Sequence, residues 1–325
     1  MFIGVDHGTN AMRFAGICEG NVRTFEMPRT EVSGMSEAQI LDSITSHLDI
    51  GISDIELVAV TYSMGDGIVS IEDMDNVDSR GVLSIEGVGK KTGAGTLVFD
   101  AIRNSPIPAV LIPGIHTKSN TDPRLNVFSH STSPEKIGIA YNAKCKGIDD
   151  LVVSDISSNT VTVGVCGGKL IGAIDACIFA PGTRHGPLDL EAIRDVDAGK
   201  CSANEAFINA GVLKHTPYSG NDELLEAAVN GESAAILALD RIALFASMEI
   251  AAIQVLMKDH GSHGKVFLAG SVGEVDYVAE RIGSHLDLKP ELLGKWSAAI
   301  GCAEIARDIA GGARTILGLD VNFNI

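Results

Sequence analysis

Phe2-Ile-Gly-Val-Asp6-His-Gly8-Thr9-Asn10-Ala-Met-Arg13-Phe14 and Leu151-Val-Val-Ser-Asp155-Ile-Ser157-Ser158-Asn159-Thr160-Val-Thr-Val163 carry one pattern twice. Each is an apolar run ending in Asp, a turn of small polar residues with Asn four positions after the Asp, and a second apolar run. Short apolar runs bounded by turn residues read as strands, so each stretch predicts a β-hairpin. Glu19-Gly20-Asn21 and Gly167-Gly168-Lys169 then turn each hairpin into a third strand. Two similar half-molecules are expected, facing each other across a cleft.

The residue types in the turns point to a ligand class. Successive backbone N–H groups in a tight turn form a concave anion site, which only small side chains leave open. Gly8, Thr9 and Asn10 meet that need in the first turn; Ser157, Ser158, Asn159 and Thr160 meet it in the second. Asp6 and Asp155 are the expected Mg²⁺ holders, acting through water, because this ion keeps much of its hydration and bridges carboxylate to phosphate. Taken singly, either hairpin is equally an ordinary turn in which Asp and Asn satisfy local geometry. The repetition is what favours a shared metal-bound polyphosphate.

Bulk properties narrow the class. The chain has 325 residues, enough for two domains with separate cores, and 45% are hydrophobic, as in a soluble α/β enzyme. A formal charge of −17 leaves no basic stripe to neutralise phosphates, so neither nucleic acid nor an anionic membrane is an expected partner. An anionic substrate has to be captured by local cations and amides against that net field. Six scattered cysteines without Cys-x-x-Cys spacing read as reduced cytoplasmic thiols. The N-terminus enters a strand at Phe2, with no expected signal peptide. The apolar 232–258 segment is interrupted by Asp240, Arg241 and Glu249, which argues against a membrane span.

Along the chain, Ser36-Glu-Ala-Gln39 is a capping box opening a helix with Ile40, Ile44 and Leu48 on one face. Glu56 to Tyr62 returns as a strand, completing the βββαβ unit of a ribonuclease-H-like fold. Glu72 to Asp78 reads as a solvated acidic excursion. Ser133-Pro134-Glu135 starts a helix that Gly147 ends, and Ser202-Ala-Asn-Glu205 is a second capping box. A hinge near residue 148 divides domains 1–148 and 149–325. Lys265 to Ala269 followed by Gly270-Ser271-Val-Gly273 is a strand running into a Gly-rich turn. The 232–258 helix exceeds what one core needs and is either a homodimer interface or a fully buried central helix.

The Asp6 turn, the Asp155 turn and the Gly270-Ser271-Val-Gly273 turn stand in the order of the sugar-kinase, actin and heat-shock ATPase superfamily, and the chain resembles it. The resemblance implies an α/β fold of two ribonuclease-H-like domains binding ATP and Mg²⁺, with Gly270, Ser271 and Gly273 facing adenosine. Phe128-Ser-His130-Ser-Thr-Ser133 is similar to the histidine-bearing segment of acetate kinases. Gly186-Pro187-Leu-Asp-Leu-Glu191 stands where butyrate kinases carry a Gly-Pro-Phe-Ser-Pro-Glu segment. Gly4-Val-Asp-His-Gly-Thr, Thr61-Tyr-Ser-Met-Gly-Asp-Gly67, Arg80-Gly-Val-Leu-Ser-Ile-Glu86-Gly and Val153-Ser-Asp-Ile-Ser-Ser-Asn-Thr160 resemble the archaeal methanogenesis marker protein 12 family. Departures exist: the second turn lacks the acyl kinases' triple Gly, and Pro113-Gly114-Ile115-His116 stands where acetate kinases carry a catalytic Asp. Asp122 is the nearest substitute.

The expected catalytic set is therefore His130, donating to transition-state oxygens, Arg13, neutralising the transferring phosphoryl group, and Asp122. Surface ion pairing is an equal reading for Arg13, and solvent exposure an alternative for His130. Lys90-Lys91 and Arg184-His185 are cationic pairs that either approach the cleft or face solvent. The expected activity is transfer of the ATP γ-phosphoryl group to a small carboxylic acid. The rival is a non-metabolic ATP-binding switch acting on a methanogenesis enzyme.

Overall fold

The computed structural model describes residues 1–8, 10–62, 67–78 and 93–323. Its first elements are the strands β1 (Phe2–His7), β2 (Ala11–Cys18) and β3 (Asn21–Pro28). Two helices follow, α1 (Arg29–Val32) and α2 (Glu37–Leu48), and then strand β4 (Leu57–Val60). The Ser36 capping box is formed in full, and Ile40, Ile44 and Leu48 are the residues α2 buries. Next come β5 (Ile71–Asp73), α3 (Ala94–Arg103), β6 (Ala109–Leu111), β7 (Ile115–His116), β8 (His130–Thr132) and α4 (Glu135–Lys144).

The second series opens with β9 (Leu151–Ile156), β10 (Thr160–Cys166) and β11 (Lys169–Asp175). Helices α5 (Leu190–Asp197), α6 (Ala203–Ile208), α7 (Asn221–Val229) and α8 (Ser233–Asp259) precede β12 (Lys265–Ala269), α9 (Asp276–Leu286) and β13 (Glu291–Leu292). The chain closes with α10 (Ser297–Ala310), β14 (Thr315–Ile316) and β15 (Leu319–Asn322).

Two sheets repeat one topology. The order β3-β2-β1-β4-β6 forms the heart of an eight-stranded sheet, and β11-β10-β9-β12-β13 forms a five-stranded sheet. In each, the first strand pairs antiparallel with the second and parallel with the strand that follows the helical crossover. That is the βββαβ unit read from sequence, present in duplicate. The first sheet is extended at its far edge by β5, β15 and β14. The acidic stretch after Ile71 was expected as a solvated excursion. Its start is instead β5, paired antiparallel with β6 and parallel with β15, because Ile71 is a fully buried anchor in the sheet.

The chain separates into two compact units: Met1–Asp149 with Gly168–Leu170 and Trp296–Ile325, and Asp150–Gly167 with Ile171–Lys295. Residues 296–325, expected in the second domain, belong instead to the first unit, with α10, β14 and β15. Helix α10 lies against β1, β2, β4 and α4. Gly4 makes this possible, since a Cβ there would collide with the Ala299 carbonyl oxygen and the Ala303 amide. Tyr141 donates to Asp308 at 2.6 Å and Asn142 to Glu304 at 3.0 Å, tying α4 to α10. In the second unit α8 packs on β9 and β10, and the core includes Val152, Ile156, Ile242, Ile250, Ile253 and Leu268.

Candidate functional site

The pairing of β1 with β2 ends at His7 and Met12, with Asp6 in register with Arg13. Asp6 is buried at the end of an apolar strand. A buried carboxylate needs partners, and Arg13 Nη1 donates to its Oδ2 at 3.3 Å while Arg13 Nε lies 3.5 Å from Glu26. A second guanidinium holds the loop from α1: Arg29 Nε donates to the Gly8 carbonyl at 2.8 Å and Nη2 to that of His7 at 3.5 Å. The Arg29 amide donates to the Asn10 carbonyl at 3.1 Å. His7 donates its backbone N–H to Thr61 Oγ1 at 3.2 Å and stacks its ring on Tyr62 at 4.3 Å. The first turn is thus fixed largely by side chains, two of them cationic.

Behind it, the fully buried Cys302 thiol is pushed well up, by burial first and then by the carboxylates of Asp6, Glu135 and Glu304. Burial also works to raise Glu135, but Lys136 Nζ at 3.1 Å and the Ser133 hydroxyl at 2.6 Å outweigh it and hold this carboxyl below the usual range.

In the second turn β9 and β10 pair up to Ile156 and Thr160, so residues 157–159 form the loop. Ser157 donates its N–H to the Asn159 carbonyl at 2.8 Å. Two other segments grip this loop through their backbone amides. The amides of Val272 and Gly273 both donate to the Ile156 carbonyl at 3.0 Å. Thr183 donates to Ser157 O at 3.0 Å, and Arg184 and His185 donate to Ser158 O at 3.1 and 2.8 Å. Gly270 sits at φ +88°, and a Cβ there would strike the Asp155 carboxylate and the Ile156 carbonyl. Thr183 Oγ1 donates to Asn221 Oδ1 at 2.6 Å, and Asn221 Nδ2 reaches Ser271 Oγ at 3.4 Å. Asn159 Oδ1 is buried without a hydrogen-bond partner. Such an orphan acceptor is costly unless a ligand or water donates to it.

The second unit therefore gathers Asp155, Ser157, Ser158, Asn159, Thr160, Gly270, Ser271 and Gly273 in one place. In the first unit Asp6, Gly8, Asn10 and Arg13 share the turn; Thr9 lies outside the described residues, as do Ser63 to Asp66 and Lys90-Lys91. His130 is exposed at the start of β8, in register with the buried His116. Asp122 caps the turn at Pro123–Val127, and its oxygens receive Arg124 Nε at 2.9 Å and Nη2 at 2.8 Å. Among the described residues no cluster of three or more His, Cys, Asp or Glu side chains is arranged to hold a metal.

No family model matches the chain. Over 322 residues it is 63% identical to a UPF0285 protein of Methanosarcina acetivorans, covering 99% of each chain. It is 44% identical over 331 residues to one of Methanocaldococcus jannaschii, again covering 99% of each. The chain belongs to the UPF0285 family. Solved structures share the fold of this UPF0285 protein at low identity. A propionate kinase from Francisella tularensis has a TM-score of 0.63 at 11% identity, and an acetate kinase from Porphyromonas gingivalis 0.62 at 12%; each match covers 94% of this chain and 98% of the other. A glucokinase of the ROK family from Streptomyces griseus, solved with glucose and AMPPNP, has a TM-score of 0.52 at 16% identity, covering 94% and 99%. The UPF0285 protein thus shares the α/β fold of these kinases.

Several residues that build these turns carry no signal of that role in the sequence. Nothing local marks Arg29, which reaches Gly8 from 21 positions away. Thr61 and Tyr62 open a stretch that carries the family resemblance, but nothing in it signals their contacts with His7. Asn221 follows Gly220 at a helix start, a signal for a helix and not for a contact with Ser271.

Proposed function

We propose that this UPF0285 protein binds Mg-ATP and transfers its γ-phosphoryl group to a small carboxylic acid. The observation that carries the reading is the assembly in the second unit: a buried Asp155, a three-residue turn, and the Gly270 loop pressed onto it with no room for a side chain. Backbone N–H groups and small hydroxyls are what a polyphosphate takes from such a turn. Both carboxylates suit a hydrated Mg²⁺. Asp6 is already bonded to Arg13, which would suit a water-bridged ion. In the second unit the buried Asn159 Oδ1 would accept from a water or hydroxyl of a bound ligand. When bound, the ion would neutralise phosphate charge during transfer.

The chain's own residues do the rest. Arg13 and Arg29 put positive charge beside the first turn of a strongly acidic protein, where a transferring phosphoryl group gathers charge. His130 donates to equatorial oxygens. A carboxylate oxygen forms the new bond to phosphorus, the bond from phosphorus to the β–γ bridging oxygen breaks, and ADP leaves with that electron pair. Purified protein incubated with Mg-ATP, short carboxylic acids and hydroxylamine is expected to yield hydroxamates, and Asp155→Ala to yield none.

One observation favours a second reading. Asp122, the acid nearest the position of the missing catalytic Asp, is committed to capping and to Arg124. A chain that binds ATP tightly yet turns over no acid would be a nucleotide switch in a methanogen, in keeping with the resemblance to methanogenesis marker protein 12. No described helix is long and apolar enough to cross a membrane. We place the protein in the cytoplasm, as a homodimer that does not bind nucleic acid.

A further inference from the structure

The geometry points to α8 as a self-complementary surface through which two copies of this chain pair antiparallel about a two-fold axis. One face of the helix is core: Ala235, Ala238, Ile242, Ala246, Ile250 and Ile253 are buried. The other face leaves Leu237 50%, Leu244 46%, Met248 48% and Val255 62% exposed. Successive intervals are seven, four and seven residues, the same read from either end. Seven and four are the spacings that keep side chains on one helical seam. A palindromic seam fits itself when reversed, so Leu237 meets Val255 of the second copy and Leu244 meets Met248. Isologous two-fold contacts require such a match of residue i with j and j with i.

Charge selects a second copy over an unrelated partner. The chain carries −17, so two copies repel over most of their surface. The seam escapes this. Between Ser233 and Lys258 the charged residues are Asp240, Arg241 and Glu249. Asp240 is turned to α9, accepting from Tyr277 Oη at 2.8 Å and Arg281 Nε at 3.0 Å, and Glu249 is fully buried. Arg241 alone remains on the outward side. Antiparallel pairing opposes the two helix dipoles and brings Glu232, at the helix start, near both Lys258 and Asp259 at the other copy's helix end, so the ends add little net charge attraction and the apolar seam carries the pairing.

Area sets the strength. Four half-exposed side chains leave apolar surface on the order of 300–400 Å², the size at which a patch marks an interaction site. That falls short of the roughly 800 Å² per partner of a standard interface, so the expected dissociation constant is micromolar, about 1–10 μM.

Sedimentation velocity of the full chain from about 0.1 to 100 μM tests this, with the expected transition from monomer to dimer at micromolar concentration. L244E/M248E is expected to weaken the dimer about 100-fold or more while keeping its far-ultraviolet circular dichroism and melting point. L244C/M248C is expected to give, on oxidation, a reducible covalent dimer above the background of the native chain, which decides the matter should the charged variant fail to fold. A chain monomeric throughout would overturn the proposal, as would a dimer indifferent to both variants. So would monomeric binding to phosphatidylglycerol vesicles that L244E/M248E abolishes, since the seam would then be a lipid contact.

Discussion

The two turns share a sequence pattern and differ in how they are held. In the first, guanidinium groups of Arg13 and Arg29 grip a carboxylate and two carbonyls, and an aromatic stack fixes His7. In the second, backbone amides of residues 183–185 and 272–273 do the work, and a glycine lets the Gly270 loop touch Asp155. The Asn of each pattern also fares differently. Asn10 is exposed and offers its carbonyl to Arg29, whereas Asn159 buries an unpartnered side-chain oxygen. The pairing registers differ as well: β1 and β2 last pair at His7 and Met12, whereas β9 and β10 pair up to Ile156 and Thr160. A duplicated motif has become one turn that brings charge and one that brings close backbone approach.

The comparison breaks most sharply at the carboxylates. Asp155→Ala and Asp6→Ala should each lower ATP-dependent hydroxamate formation by on the order of 10³-fold, because each removes a carboxylate that the proposed function assigns to Mg²⁺. Loss in only one variant would show that the turns do not share a task.

Gly270→Ala probes backbone approach. A Cβ meeting Asp155 and the Ile156 carbonyl at positive φ should destabilise by about 3 kcal/mol or more, read as a lowered midpoint in urea unfolding. A neutral result would mean that the loop moves freely off the second turn.

Arg29→Met tests the charged turn. Losing hydrogen bonds from a guanidinium to two carbonyls should raise the KM for ATP about 10-fold, about 1.4 kcal/mol, with a smaller change in kcat. Ser157→Ala should do less, since the backbone holds the second turn; equal effects would erase the distinction drawn here.

The smallest effect lies behind the second turn. Ser154 and Thr162 are linked at 2.9 Å beneath α8, where Glu249 accepts from the Ala180 amide at 3.1 Å. Burial pushes the Glu249 carboxyl well above the usual range, opposed by hydrogen bonds from Thr162 and Ala180. The folded chain therefore favours the protonated acid. Its contribution is full below the unfolded carboxylate value near 4.5 and is lost as pH rises towards the raised folded value. Glu249→Gln should remove that slope and stabilise the protein near pH 7 by about 1 kcal/mol, measured by urea unfolding across pH. The first turn has Cys302 at the equivalent depth and should show no such carboxyl-linked slope from it.

Local chemistry made much of this protein readable from its sequence. Apolar runs broken by Gly-Asn and Gly-Gly turns specify the two hairpins, and Ser36 and Ser202 close their capping boxes with Gln39 and Glu205 as written. Small residues after Asp6 and Asp155 mark the turns because only they leave amides accessible. Tertiary structure alone decided which distant segments complete those turns. Arg29, Thr183 and Asn221 act through contacts whose partners lie tens of residues away, and α10 returns to β1 because Gly4 admits its backbone. Hydrogen-bond and turn preferences act over four or five residues and leave a local signature. Long-range packing is selected by shape and by the cost of closing large loops, which no short window of sequence records.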